Sequence, residues 1–216
     1  MALTDNILAY WKLDGNSNDS VASNNGTDTS ITYSAGNGLI VQGAGFDGTT
    51  STFTVPIVMG TVGSFNLWYK RADTSTASNC MFGSTKTAVT DYIRINPTTS
   101  NTVQFICEND VVSGSVTTDT NWHMATIVWD ASTAWKGYVD GTLVATGTGV
   151  KNPTNTGYNI RAGVTADGTG IAGGTYYNGA IDEIGYWTRR ISESEITQLY
   201  NSGAGLSYPF TSTNTT

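Results

Sequence analysis

Short runs of alternating apolar and polar residues, interrupted by Gly, Asn, Asp and Ser, follow one another along the whole chain. Residues 7–14 (Ile-Leu-Ala-Tyr-Trp-Lys-Leu-Asp) put Ile7, Ala9, Trp11 and Leu13 on one face of a strand. Short strands are expected near 27–33, 43–46 and 52–55. Residues 64–70 set Phe65, Leu67 and Tyr69 against Asn66, Trp68 and Lys70. Residues 122–130 are the longest apolar run and read as a central strand covered on both faces. Residues 134–141 end in Asp140-Gly141 and lead into 142–146, a hairpin signal. Strands at 158–163 and 178–188 complete the set.

One helix is encoded near the C-terminus. Ser192 followed by Glu195 is a capping box, with Ile191 and Ile196 at staple positions. Ile196, Leu199 and Tyr200 form its apolar face, and Gly203 is expected to end it. Such a helix is too short to stand alone and must dock on the strands. Strand density is even, which predicts one domain over 1–210, with 211–216 as a flexible or contact tail.

Composition narrows the class. The chain has 216 residues with 25 glycines, 38% hydrophobic and 11% aromatic residues, and only 12% charged ones. That is enough apolar material for a core and too few helix formers for a bundle, so an all-β antiparallel sandwich is expected. The net charge is −7 and the ten Lys and Arg are scattered singly. No basic patch exists for phosphates, which excludes nucleic acid and anionic membrane as partners. No apolar run is long enough for membrane insertion. The N-terminal residues carry no secretory signal.

Cys80 and Cys107 flank a further strand near 91–96. In a simple meander they stand two strands apart, roughly 9–10 Å, beyond the ~7 Å that a disulfide spans. Free thiols are expected. His123 is the one histidine, at a strand start and without a nucleophile signature nearby, so its expected role is structural.

The series Leu8-Ala-Tyr-Trp-Lys-Leu-Asp-Gly-Asn16, Phe46-Asp-Gly48, Phe65 with Trp68, Trp122-His123, Tyr138-Val-Asp-Gly141, Asn178-Gly-Ala-Ile-Asp-Glu-Ile184 and Arg190-Ile-Ser-Glu-Ser-Glu-Ile196 resembles the laminin-G-like, concanavalin A-like lectin/glucanase domains. The likeness runs from about residue 7 to 201 and implies a jelly-roll β-sandwich closed by one short C-terminal helix. The segment from Leu199 to Phe210 is similar to the ends of such domains among tailed-phage virion proteins. That implies a virion surface protein, in capsid decoration or a tail fibre. Its partners would be other virion proteins or host glycans, with a homo-oligomer such as a trimer plausible. The alternative is an extracellular or cell-surface lectin-like module.

Glucanases of this kind need two carboxylates, about 5–10 Å apart, acting as acid and as nucleophile or base. The four glutamates, Glu108, Glu183, Glu193 and Glu195, form no alternating run with each other or with Asp. Asp182 and Glu183 are adjacent and expected on opposite faces of a strand. The reading is a binding or structural module that is not an enzyme, and a glycoside hydrolase is disfavoured. Asp14, Asn16 and Asp19 place oxygens at spaced positions in one loop, as a structural Ca²⁺ would require. The resemblance adds Asp182, whose strand runs near the N-terminal one. The other reading of this loop is Asx turns. Among the aromatics, Trp135, Tyr176 and Tyr177 lie beside turns or Gly pairs and are the expected exposed platforms for sugar rings, unless they pack as loop aromatics.

Overall fold

The computed structural model describes residues 1–75, 81–84, 93–153, 159–164, 166–167, 170–171 and 176–211. The first strands are β1 (Ile7–Trp11), β2 (Thr27–Thr29), β3 (Thr32–Ser34), β4 (Gly43–Asp47), β5 (Thr52–Val55) and β6 (Gly63–Arg71). The middle of the chain supplies β7 (Phe82–Gly83), β8 (Ile93–Pro97), β9 (Thr102–Cys107), β10 (Asp110–Ser115), β11 (Trp122–Trp129) and β12 (Ala134–Val139). Then come β13 (Thr142–Val150), β14 (Ile160–Ala162), β15 (Ala166–Asp167), β16 (Gly170–Ile171), β17 (Asn178–Trp187) and helix α1 (Glu193–Tyr200).

Two antiparallel sheets face each other. The first runs β13-β12-β11-β6-β17-β4-β3, with β1 also paired to β17; the second runs β10-β9-β8-β7-β14-β5-β2. This is the expected sandwich. Ala9, Trp11, Phe46, Phe65, Leu67, Ile127, Ile181 and Tyr186 of the first sheet meet Phe53, Phe82, Ile95, Phe105 and Ile160 of the second. Phe65 links the layers, stacked on Tyr186 at 4.5 Å and edge-on to Phe82 at 4.9 Å. At one side of the sandwich, β10 packs against β13, and Asp110 accepts the Thr148 N–H at 2.7 Å.

A second apolar cluster lies on the outer face of the first sheet. Tyr10, Trp68, Met124, Val128, Tyr138 and Trp187 are covered there by Leu3, Ile191, Ile196, Leu199 and Phe210. Helix α1 supplies much of that cover. Its capping box forms as expected, with Glu195 N–H donating to the Ser192 hydroxyl and Ser192 N–H to the Glu195 carboxylate. Ile191 and Ile196, at the staple positions, are both buried. The helix end differs from expectation. Asn201, at φ 46°, takes the left-handed cap two residues before Gly203, because Asn tolerates that conformation nearly as well as Gly.

The hairpin turn at Asp140-Gly141 has positive φ at both residues, 51° and 78°, the geometry a two-residue connection demands. Strands β7, β8 and β9 form the anticipated meander. Cys107 is free and fully buried, and burial pushes its thiol well above the usual range; Cys80 lies outside the described residues, as does the tail from 212 onward.

Candidate functional site

Helix α1 and the terminal segments cover only part of the first sheet's outer face. Beyond them four residues sit in cross-strand register: Thr32 of β3 opposite Gly45 of β4, Gly45 opposite Ala180 of β17, and Ala180 opposite Lys70 of β6. Lys70 in turn faces Trp122 of β11. Gly45 and Ala180 are small, so the backbone forms a low floor between Thr32 and Lys70. The result is a groove of about 320 Å³, rimmed by Asn37, Asp47, Lys70 and Asn178.

Local chemistry fixes each wall. Asn37 donates its side-chain N–H to the Thr32 carbonyl at 2.9 Å, which seats it directly over Gly45, where a Cβ would collide with it. Asp47 accepts the N–H groups of Thr49, Thr50 and Ser51 on Oδ1 and the Thr50 hydroxyl on Oδ2. Those donors outweigh the modest burial of the group and hold its carboxyl far below the usual range. Lys70 donates to the Gly36 carbonyl at 3.2 Å and stands 5.3 Å from the Trp122 ring centroid. Asn178 is exposed and Trp122 half-buried. The site therefore joins an aromatic, an ammonium, an amide and a carboxylate on a rigid sheet.

A larger cleft of about 710 Å³ lies between Lys12, Asp14, Ile40 and the segment from Ala204 to Tyr208. Its polar walls are already engaged in the fold. Asp14 accepts from Gln42 N–H, Asn201 donates to the Gly205 carbonyl, and the nearby Tyr10 hydroxyl donates to the Leu206 carbonyl.

The aromatic platforms expected from sequence need correction. Trp135 and Tyr177 are fully buried. The Trp135 indole N–H donates to Asp110 at 2.8 Å, in a slot that exists because residue 147 is glycine. The Tyr177 hydroxyl donates to the Lys70 carbonyl at 2.9 Å, and its ring meets Phe46. Proximity to a turn does not expose a ring whose polar atom is needed inside. Tyr176 is half-exposed. Conversely Trp122, expected in the core, is half-buried on the outer face, packed against the second apolar cluster with Lys70 over its ring. Its parity with Met124, Thr126 and Lys70 across the ladder was the available signal.

The proposed cation ligands do not converge. Asp19 is filled by N–H groups of Tyr10, Val21, Ala22 and Asn24 and by the Asn24 side chain, which together draw its carboxyl down despite burial. The Asn16 side chain accepts from Asn18 N–H, an Asx turn. Asp182 accepts from Leu39 and Ile40 N–H at 2.8 and 3.0 Å. Among the described residues, no three His, Cys, Asp or Glu side chains are grouped to hold a metal.

Asp182 and Glu183 also depart from the expected alternation. Burial raises the Tyr10 phenol, and a register shift between Asp182 and Gly185, with Glu183 at φ 51°, brings both acids close enough to raise it further. Burial drives both carboxyls up, Asp182 to about 8 and Glu183 to about 7. Asp182 has three N–H donors, whereas neither Glu183 oxygen has a hydrogen bond of good geometry. His123 lies at the start of β11. It bridges Asp140 at 2.7 Å and Asp119 at 3.0 Å, and these partners raise its pKa against burial.

The fold and this open face are those of a lectin-type β-sandwich, and the chain belongs to the concanavalin A-like lectin/glucanases superfamily, whose model (Laminin_G_3) matches residues 45–197. No curated protein sequence matches it. Among solved structures it is similar to domain 4 of AbnA, a GH43 extracellular arabinanase from Geobacillus stearothermophilus in complex with arabinotriose. That match has a TM-score of 0.69 and 20% identity over 88% of this chain and 96% of that one. It is also similar to the Trypanosoma rangeli sialidase, at TM-score 0.73 and 11% identity, covering 94% of this chain and 34% of the sialidase. The receptor binding domain of a botulinum neurotoxin C/D mosaic matches with TM-score 0.63 and 12% identity, over 92% and 51% of the two chains. These likenesses concern the fold. They also correct the exclusion of enzymes drawn from the glutamate count: the same sandwich occurs within sialidase and arabinanase chains, so a missing carboxylate run does not place a chain outside enzymes. Among the described residues, no helix is long and apolar enough to cross a membrane.

Proposed function

We propose that this domain binds carbohydrate in the groove over Gly45 and Ala180. The observation that carries the reading is the uncovered stretch of sheet where Lys70, Asn178, Asn37 and Thr32 stand around a floor of small residues, with the half-buried Trp122 beside Lys70. Sugars are recognised by such mixtures, hydroxyls by amide and charged groups and C–H faces by aromatic rings. Structural neighbours that are carbohydrate-binding domains support it. The test is binding to an oligosaccharide array and then calorimetry, with Asn178→Ala and with Ala180→Leu, which fills the floor. Both variants should lose at least tenfold in affinity, with Asn178→Ala keeping the wild-type melting curve. Binding that survives both would place the site elsewhere. The setting we infer, from the likeness of the Leu199–Phe210 segment, is a virion surface; finding the protein on purified particles tests it.

A further inference from the structure

The ammonium of Lys70 stands in the groove with no opposite charge within ion-pair distance among the described residues. Among the described residues, Lys136 has Glu193 at 3.0 Å and Lys151 has Glu108 at 3.7 Å, but no carboxylate lies within ion-pair distance of Lys70. Its partners are a neutral carbonyl, Gly36, and the face of Trp122. Both hold the ammonium in place without neutralising it, and one bond to Gly36 leaves two of its three N–H donors unspent. The neighbouring Arg71 is not a second cation for the groove, because its guanidinium is buried and donates to the Thr98 carbonyl at 2.7 Å. Asp47 stands two strands away on β4, its charge satisfied by four donors of its own turn. The groove is thus polarised, positive toward β6 and negative toward β4, in a chain of net charge −7.

Given the carbohydrate reading above, on which this rests, we infer that the groove selects an acidic saccharide, its carboxylate against Lys70 and its hydroxyls toward Asn178 and Asp47. A fixed, unpaired ammonium gives a carboxylate a charge-assisted hydrogen bond at little ordering cost. A neutral sugar takes only a hydroxyl hydrogen bond from that ammonium, without the charge pairing. Lys70 is then the specificity-determining residue.

The experiment is a printed array of uronic-acid, sialylated, sulfated and neutral oligosaccharides. Calorimetry follows on the best-bound acidic glycan and on the same glycan after chemical reduction of its carboxyl to a neutral alcohol. Wild type should prefer the carboxylate form about tenfold, and the preference should shrink between 50 and 500 mM NaCl as screening grows. Lys70→Gln should abolish the preference, weakening the carboxylate form about tenfold more than the reduced form. Equal wild-type affinity for the two forms, a preference for sulfated glycans that exceeds that for carboxylates, or a Lys70→Gln variant that weakens both forms alike would each overturn the inference. If no glycan of any charge binds, the carbohydrate reading itself fails.

Discussion

Glu183 offers a measurable cost inside the fold. Its carboxyl is fully buried without a good donor, and burial lifts it from the usual 4.5 to about 7. A carboxyl whose folded pKa is raised favours the protonated native state. The stability it supports is therefore complete below the unfolded value and is lost as pH rises toward the folded one. At about 1.4 kcal/mol for each pH unit, the loss amounts to about 3 kcal/mol by pH 8. Replacing Glu183 by Gln keeps the shape of the neutral acid and removes the titration. Urea unfolding of wild type and Glu183→Gln at pH 5 and at pH 8 measures the difference. The variant should be the more stable by about 1 kcal/mol at pH 5 and by about 3 kcal/mol at pH 8. An equal gap at both pH values, or a wild type that gains on the variant as pH rises, would refute the reasoning.

Other substitutions test other parts of the structure. His123 is raised by Asp140 and Asp119, so the stability it confers is full below about pH 6.5 and fades above it; His123→Phe should flatten that part of the urea midpoint profile. Trp135→Phe removes the indole donor to Asp110 and should cost about 1–3 kcal/mol, and Trp135→Ala about 3–5 kcal/mol, with glycan binding unchanged in whatever fraction stays folded. Ser192→Ala breaks the capping box and should cost about 1 kcal/mol in the same assay. Gly45→Ala drives a methyl into the Asn37 amide, so about 1–3 kcal/mol of destabilisation should accompany weaker binding in calorimetry.

What the sequence disclosed was what short-range periodicity can encode. Alternation located β1 and β6, a continuous apolar run located β11, Asp140-Gly141 located the hairpin, and Ser192 with Glu195 located the helix start, because each depends on neighbours a few residues apart. The groove is assembled from Thr32, Gly45, Lys70, Trp122 and Ala180 on five strands, and only the strand order brings them together. Trp135 misled for the same reason, since the glycine that makes room for it, Gly147, sits on the partner strand. The bulge at Glu183 was illegible too: its left-handed φ of 51° falls on a residue type that gives no local warning.

The closure of the sandwich along β10 and β13 bears on how the protein behaves in a crowd. A sheet edge with free amides invites another chain to add a strand. Here the edge of one sheet lies against the edge of the other, and the Thr148 amide is spent on Asp110. At the far side both sheets end in three-residue strands, β2 and β3, too short to serve as a template. The molecule thus offers little ladder for self-templated growth, and many copies can stand side by side without merging into one sheet.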